Sequence, residues 1–131
     1  MRIGEGFDVH ALVSDRPLIL GGVLIPHEKG LAGHSDADVL IHALIDALLG
    51  ACGLGDIGQH FPDTDPQWEG IGSRVMLATV YKMVCESGYE VVNVDSTVIA
   101  ERPKLSPYIA HMREVLAELL SVSVDQVNVK A

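Results

Sequence analysis

Long apolar runs are missing from this chain. None approaches the roughly 20 residues needed to cross a bilayer, and no charged-then-apolar leader stands at Met1, so no membrane partner and a cytoplasmic location are expected. Cysteine is scarce: Cys52 and Cys85 are the only two, both amid apolar residues, which excludes a disulfide framework and predicts buried free thiols. Positive charge is scarce too. Nine Lys and Arg stand against eighteen Asp and Glu, and the net charge of −9 argues against nucleic acid or an anionic membrane surface as partner. The same deficit poses a problem for any phosphate-bearing substrate, because local positive charge must then be supplied at the site, and bound metal ions are one way to supply it. Internal repeats, low-complexity runs and interdomain linkers are absent. What remains is 131 residues with 48% hydrophobic content, enough for one core and one domain over 1–131.

The most informative stretch runs from Gly33 to Asp46. Ser35 followed by Asp38 is a capping-box-like start, Asp36 and Asp38 suit the positive end of a helix dipole, and Gly50 is a plausible stop, so a helix is predicted from Asp36 to Leu49. Leu40, Ile41, Leu44, Ile45, Leu48 and Leu49 form its wide apolar face. Asp38, His42 and Asp46 follow one another at four-residue steps, a polar stripe beside the rim of that face. Taken alone, the stripe is more simply an exposed histidine between two surface acids.

Around this helix, Arg2 to His10 reads as extended, with Asp8 and His10 on one face roughly 6.5 Å apart along the strand. Leu18 to Ile25 reads as a hairpin turning at Gly21-Gly22, and Lys29-Gly30 as the start of a loop. Gly53 to Pro66 is dense in Gly, Pro and Asp: turn residues by type, but in a connection long enough to be a binding loop, where Phe61 needs something to pack on. A second amphipathic helix is predicted over Ser73–Glu86, a strand over Tyr89–Ala100, a third helix capped by Ser106 with Pro107 in its first turn, and a strand from Gln126. Lys104, one of only nine cationic side chains, stands in the loop before that third helix, a mildly suggestive place, although spacing alone favours an ordinary solvated lysine. The order of elements predicts an α+β, two-layer fold, a mixed β-sheet with helices on one face, whose other face needs a cover that a homo-oligomer packing sheets together would supply.

Asp8 and His10 from a strand and His42 from a helix make an O,N,N ligand set. Three protein ligands with a vacant fourth position describe a catalytic zinc site better than a structural one.

Six blocks, in order along the whole chain, resemble the 2-C-methyl-D-erythritol 2,4-cyclodiphosphate synthase family. They are Gly6 to His10, His34 to Gly50, Gly55 to Gly58, Phe61 to Asp65, Arg102 to Lys104, and Asn128 to Ala131. The resemblance implies a homotrimeric lyase of non-mevalonate isoprenoid biosynthesis, with active sites between subunits. Its reaction would convert 4-diphosphocytidyl-2-C-methyl-D-erythritol 2-phosphate to the cyclodiphosphate and CMP. By that likeness Asp8, His10 and His42 hold Zn2+, with Val9 among the substrate contacts, and His34, as catalytic residue, contacts the substrate phosphates with Ser35. Asp56, Ile57 and Gly58, with Phe61, Pro62, Asp63, Thr64 and Asp65, would hold the methylerythritol part. Ala100, Glu101, Arg102, Pro103, Lys104, Leu105 and Ser106 of a neighbouring subunit would hold the cytidine diphosphate part. His34, just before the helix, and the backbone donors of the helix start would stabilise charge developing on the phosphates. The family pattern continues past Asn128 to Ala131 with a Thr-rich turn, a carboxylate for a second metal (Mg2+ or Mn2+) and a closing strand, none of which this sequence includes.

Two rival classes fit the bare residues. A metal-dependent phosphohydrolase would use the same ligands to activate water, and a non-catalytic oligomeric binding protein would need no metal at all.

Overall fold

A computed structural model describes residues 1–131. Its organising helix, α1 (Val39–Cys52), begins three residues later than the sequence pattern predicts. Ala37, at φ +56°, sits in the left-handed region and prevents the helix from starting at Asp36. Asp38, not Ser35, is the N-cap: its Oδ1 accepts the Ile41 N–H at 3.1 Å. The predicted stop at Gly50 is passed as well. Gly50 lies on the exposed side of the helix, and the chain leaves it only at Gly53, whose φ of +67° lets its N–H return to the Gly50 carbonyl.

Asp38 has a second task that no local pattern reveals. It is fully buried, and its two carboxylate oxygens accept the Gly21 and Gly22 N–H groups at 3.0 and 2.7 Å. Those glycines form the turn of the predicted hairpin, β2 (Leu18–Leu20) with β3 (Val23–Ile25). Both have positive φ, as a tight hairpin turn requires, and a Cβ on either would crowd Met112 or Val115. The helix cap and the hairpin turn are thus one hydrogen-bonded unit.

Ahead of the hairpin, β1 (Leu12–Ser14) pairs antiparallel with β4 (Lys29–Leu31), where the sequence suggested only a loop. After α1 come a short helix α2 (Ile57–His60), a 3-10 turn at Pro66–Trp68, and α3 (Ser73–Glu86), the last as predicted. β5 (Val94–Thr97) is shorter than the predicted Tyr89–Ala100, because its parallel partner β6 (Val127–Lys130) offers only four residues to pair with. Ser106 makes no cap hydrogen bond. It opens a 3-10 turn, Ser106–Tyr108, that leads into α4 (Ile109–Leu119).

The fold is α+β, its strands paired in three two-stranded ladders, two antiparallel and one parallel. One core joins Leu18, Leu20, Val23 and Ile25 of the hairpin to Ile41, Ile45 and Leu49 of α1, Leu77 and Val80 of α3, and Met112 and Leu116 of α4. Neither cysteine forms a disulfide; Cys52 is half-buried, but Cys85 is exposed, contrary to the expectation of a buried thiol. No helix is long and apolar enough to cross a membrane.

The segment Met1–His10, expected to be extended over Arg2–His10, belongs to no ladder. It lies along α1 because Gly4 and Gly6 carry no side chain: a Cβ on Gly4 would strike the Ala47 carbonyl, and one on Gly6 the Ala43 carbonyl. Between this arm and the segment Tyr89–Pro103 runs a largely apolar groove of about 1490 Å³, floored by Leu40, Ala43, Leu44 and Ala47.

Candidate metal centre

Side chains of an extended segment alternate in direction, so Gly4, Gly6, Asp8 and His10 share the face turned toward α1. The glycines allow close approach, and one step further the same face presents a carboxylate and an imidazole to His42 of α1. On the opposite face Ile3, Phe7 and Val9 are exposed. His10 Nε2 lies 2.8 Å from Asp8 Oδ2, and His42 Nδ1 lies 3.4 Å from the same oxygen. One ligand atom from each of the three residues lies within 4.8 Å of the other two.

The outer hydrogen bonds fix which atoms can bind. His10 Nδ1 is 2.6 Å from the Ala32 carbonyl, which only accepts, so that nitrogen donates outward and Nε2, facing the Asp8 carboxylate, is the ring atom left to bind a metal. The β1–β4 ladder puts the carbonyl there, since the Ala32 N–H continues it to the Ala11 carbonyl at 2.9 Å. His42 Nε2 is 3.0 Å from Ser73 Oγ, and the Ser73 hydroxyl donates to Asp36 Oδ1. With its single proton given to a carboxylate, Ser73 Oγ can only accept, so Nε2 of His42 donates to it and Nδ1, 3.4 Å from Asp8 Oδ2, is the ring atom left to bind a metal. One carboxylate oxygen and two inward-facing ring nitrogens therefore converge on one point, an arrangement that suits a cation; two imidazoles and one carboxylate match the donor set of catalytic zinc. Burial, opposed by the attraction of Asp8, holds His42 below the ordinary histidine pKa, in the neutral form a metal ligand needs.

The other stripe residues serve the scaffold. Asp38 faces the core rather than the rim, and Asp46 Oδ1 accepts the Ile57 N–H at 2.8 Å, tying α2 to α1. Asp56 caps α2 through the Gln59 N–H, and Ile57 and Gly58 are its first residues. Phe61 is buried edge-on against Trp68, with ring centroids 4.9 Å apart, which answers what it packs on. Asp63 and Thr64 are exposed, and Asp65 caps the following 3-10 turn.

His34 is exposed, in the loop before α1, with Nε2 3.7 Å from Asp63 Oδ2, so the 33–36 and 61–65 loops face each other. It does not adjoin the helix start. Four residues separate it from Val39, and Asp38 already occupies the Ile41 amide, so the expected contribution of helix-end donors to the phosphates is withdrawn. Ser35 Oγ lies 3.3 Å from His42 Nε2. Ala100, Glu101, Arg102, Lys104 and Ser106 are exposed, Pro103 is half-buried and Leu105 buried; no hydrogen bond joins this loop to the Asp8, His10 and His42 cluster within one chain.

Sequence reasoning missed three residues that shape the site. Arg16 donates from Nη1 to the Gly33 carbonyl and from Nη2 to the Ser35 carbonyl, both at 2.8 Å, and so sets the loop that carries His34. By sequence pattern Ser73 is only the start of a packing helix, and Asp36 only a dipole acid. All three act across 17 to 37 residues of sequence, where no local pattern signals them.

The model of the YgbB family matches residues 1–131. The chain is 61% identical to the 2-C-methyl-D-erythritol 2,4-cyclodiphosphate synthase of a Cyanothece species over 131 residues, covering all of this chain and 81% of that protein. It is 62% identical to the synthase of Geobacillus kaustophilus over 130 residues, covering 99% of this chain and 82% of that protein. Among solved structures, a synthase of the same name in a CDP-bound form superposes with a TM-score of 0.91 at 43% identity, over 98% of this chain and 86% of that one.

Proposed function

This chain belongs to the YgbB family, and from that premise we propose how its residues carry out the family's reaction. The protein is an enzyme, a 2-C-methyl-D-erythritol 2,4-cyclodiphosphate synthase of non-mevalonate isoprenoid biosynthesis, a lyase that cyclises its cytidyl substrate and releases CMP. In that reaction the substrate's own 2-phosphate oxygen bonds to the β-phosphorus, the bond from that phosphorus to the bridging oxygen breaks, and the oxygen leaves on CMP.

The observation that carries the assignment of residues is the convergence of one ligand atom from each of Asp8, His10 and His42, with the outer ring nitrogens of both histidines engaged elsewhere. These hold a divalent metal, in our reading Zn2+, which when bound supplies Lewis-acid polarisation and a template for the phosphates. Its charge, only partly offset by one carboxylate, gives an acidic protein a locally positive place for a polyanion. His34 and Ser35 contact the phosphates, held at their position by the Arg16 fork. Val9 and the Asp56–Gly58 and Phe61–Asp65 segments line the methylerythritol side, and the buried Phe61–Trp68 contact gives the second of them a rigid root.

The cytidine diphosphate part belongs to Ala100–Ser106 of a neighbouring subunit in a cytoplasmic homotrimer. Two facts support this: the loop is exposed and makes no hydrogen bond to the cluster of its own chain, and Ile3, Phe7, Val9 and Ile99 leave apolar surface uncovered. The carboxylate for a second metal, Mg2+ or Mn2+, lies beyond Ala131 in our reading, with a closing strand for which the groove between Met1–His10 and Tyr89–Pro103 has room. A cyclisation needs no water. The nucleophile is tethered to the substrate, so residues that hold both phosphates in register raise its effective concentration far above that of any external group.

Phosphorus NMR of the cytidyl substrate incubated with protein, Zn2+ and Mg2+ tests the reading. Resonances of a cyclic diphosphate and of CMP are expected. Inorganic phosphate or an uncyclised diphosphate would instead identify a hydrolase.

A further inference from the structure

The metal ligands reach the site from an unladdered arm and from a helix, yet only His42 is gripped by a side chain from a third element. Ser73, the first residue of α3, is fully buried, and its hydroxyl bridges His42 Nε2 and Asp36. Asp36 holds Ser73 twice, through the hydroxyl at Oδ1 and through the Ser73 N–H to Oδ2 at 3.0 Å. Oδ1 also accepts the Asp38 N–H at 3.2 Å, which ties the carboxylate to the cap of α1.

We propose that Asp36 and Ser73 form a positioning relay that holds His42 as the Nε2–H tautomer and thereby presents a bare Nδ1 to the metal; this deepens, and rests on, the metal-site reading above. The chemistry is directional. A hydroxyl whose proton is committed to a carboxylate offers only lone pairs to its other neighbour, so imidazole must donate from Nε2. Without the Asp36 carboxylate, Ser73 would be free to donate to Nε2, and the proton would move to Nδ1, where it blocks the metal. Ser35 Oγ does not replace the relay: at 3.3 Å it is the longer contact, and no carboxylate commits its proton, so it imposes no direction on Nε2. Carboxylate partners of metal-bound histidines commonly act directly; here one hydroxyl intervenes.

The test uses Ser73→Ala, Asp36→Asn and the double variant in the full chain. In metal-free protein, nitrogen-15 NMR of the histidine rings reports the His42 tautomer: Nε2–H in the parent and a substantial Nδ1–H population in Ser73→Ala are expected. Zinc affinity, measured by competition with a chromophoric chelator, should fall by about 10- to 100-fold in each single variant. The double variant should lose no more than the weaker-binding single one, because the two residues act through one atom. Ser73→Ala with an unchanged tautomer and unchanged zinc affinity overturns the relay, as do losses that multiply in the double variant. Should Asp36→Asn not fold, the tautomer of Ser73→Ala decides alone. A parent that binds no zinc refutes the metal-site reading, while the metal-free tautomer still judges the relay.

Discussion

Replacing Asp38 by Asn separates two forces that act on one buried carboxylate. Three backbone N–H groups, from Ile41, Gly22 and Gly21, favour its ionised form. Burial opposes them and wins, pushing the pKa from an ordinary 3.8 up to about 6. The folded protein therefore holds this proton more tightly than the unfolded chain does. Its contribution to stability is full below pH 3.8 and is lost as the pH rises through about 6. At 1.36 kcal/mol per pH unit, the interval of 6 − 3.8 = 2.2 corresponds to about 3 kcal/mol. Asn cannot ionise and lacks this dependence, although its amide hydrogens meet the glycine N–H groups and cost about 1–3 kcal/mol at every pH. Urea unfolding of both proteins, in chelator, at intervals from pH 4 to pH 8 isolates the effect, because the other titrating groups cancel on subtraction. The difference in stability should move in favour of Asp38→Asn by about 2.4 kcal/mol from pH 4 to pH 7, most of the full effect. A flat difference, or one moving the other way, would show that the N–H donors outweigh burial and refute the reasoning.

Three further outcomes are expected. His42→Ala should remove zinc, read by metal analysis, and abolish turnover while circular dichroism stays that of a folded protein, because the core face of α1 lies on Ile41, Ile45 and Leu49; retained zinc and activity would refute the ligand assignment. Lys104→Ala should weaken CMP binding by calorimetry and leave zinc binding intact, since the side chain is exposed and remote in sequence from the ligands. A chain extended with the additional residues of its relatives should release CMP about a hundredfold faster at saturating zinc and magnesium, by the size of effect typical of one transition-state stabiliser; equal turnover numbers would show that segment to be dispensable.

Residues whose role is settled by neighbours in sequence were legible from the sequence, and those settled across the fold were not. Gly21-Gly22 between two apolar triplets announces a hairpin, and Ser73–Glu86 announces its helix by spacing alone. Asp8 and His10 could be set on one face because extended chain alternates regardless of what it pairs with. The cap of α1 was misplaced because Ser35, Asp36 and Asp38 are all suitable types; the choice among them is made by two glycine amides 16 and 17 residues away. Val94–Thr97 marks the extent of a ladder set by the length of its partner, which no propensity encodes. Arg16 and Ser73 look like ordinary surface and helix residues until the loops they hold are in place.

The arm from Met1 to His10 is held by a ladder only where it runs into β1, at the Ala32 N–H on the Ala11 carbonyl, so its phase further along α1 rests on the fit of Gly4 and Gly6 against Ala47 and Ala43 and on the ligands Asp8 and His10. A slip of one residue would turn Asp8 and His10 to solvent and press Phe7 and Val9 against His42, since the alternation admits no intermediate. A bound cation bridging arm and helix would lock one phase against the other. Hydrogen exchange of the arm amides should accordingly slow on loading with zinc, well beyond the residues that touch the ion, as a clasp at one end of a ribbon stills its whole length.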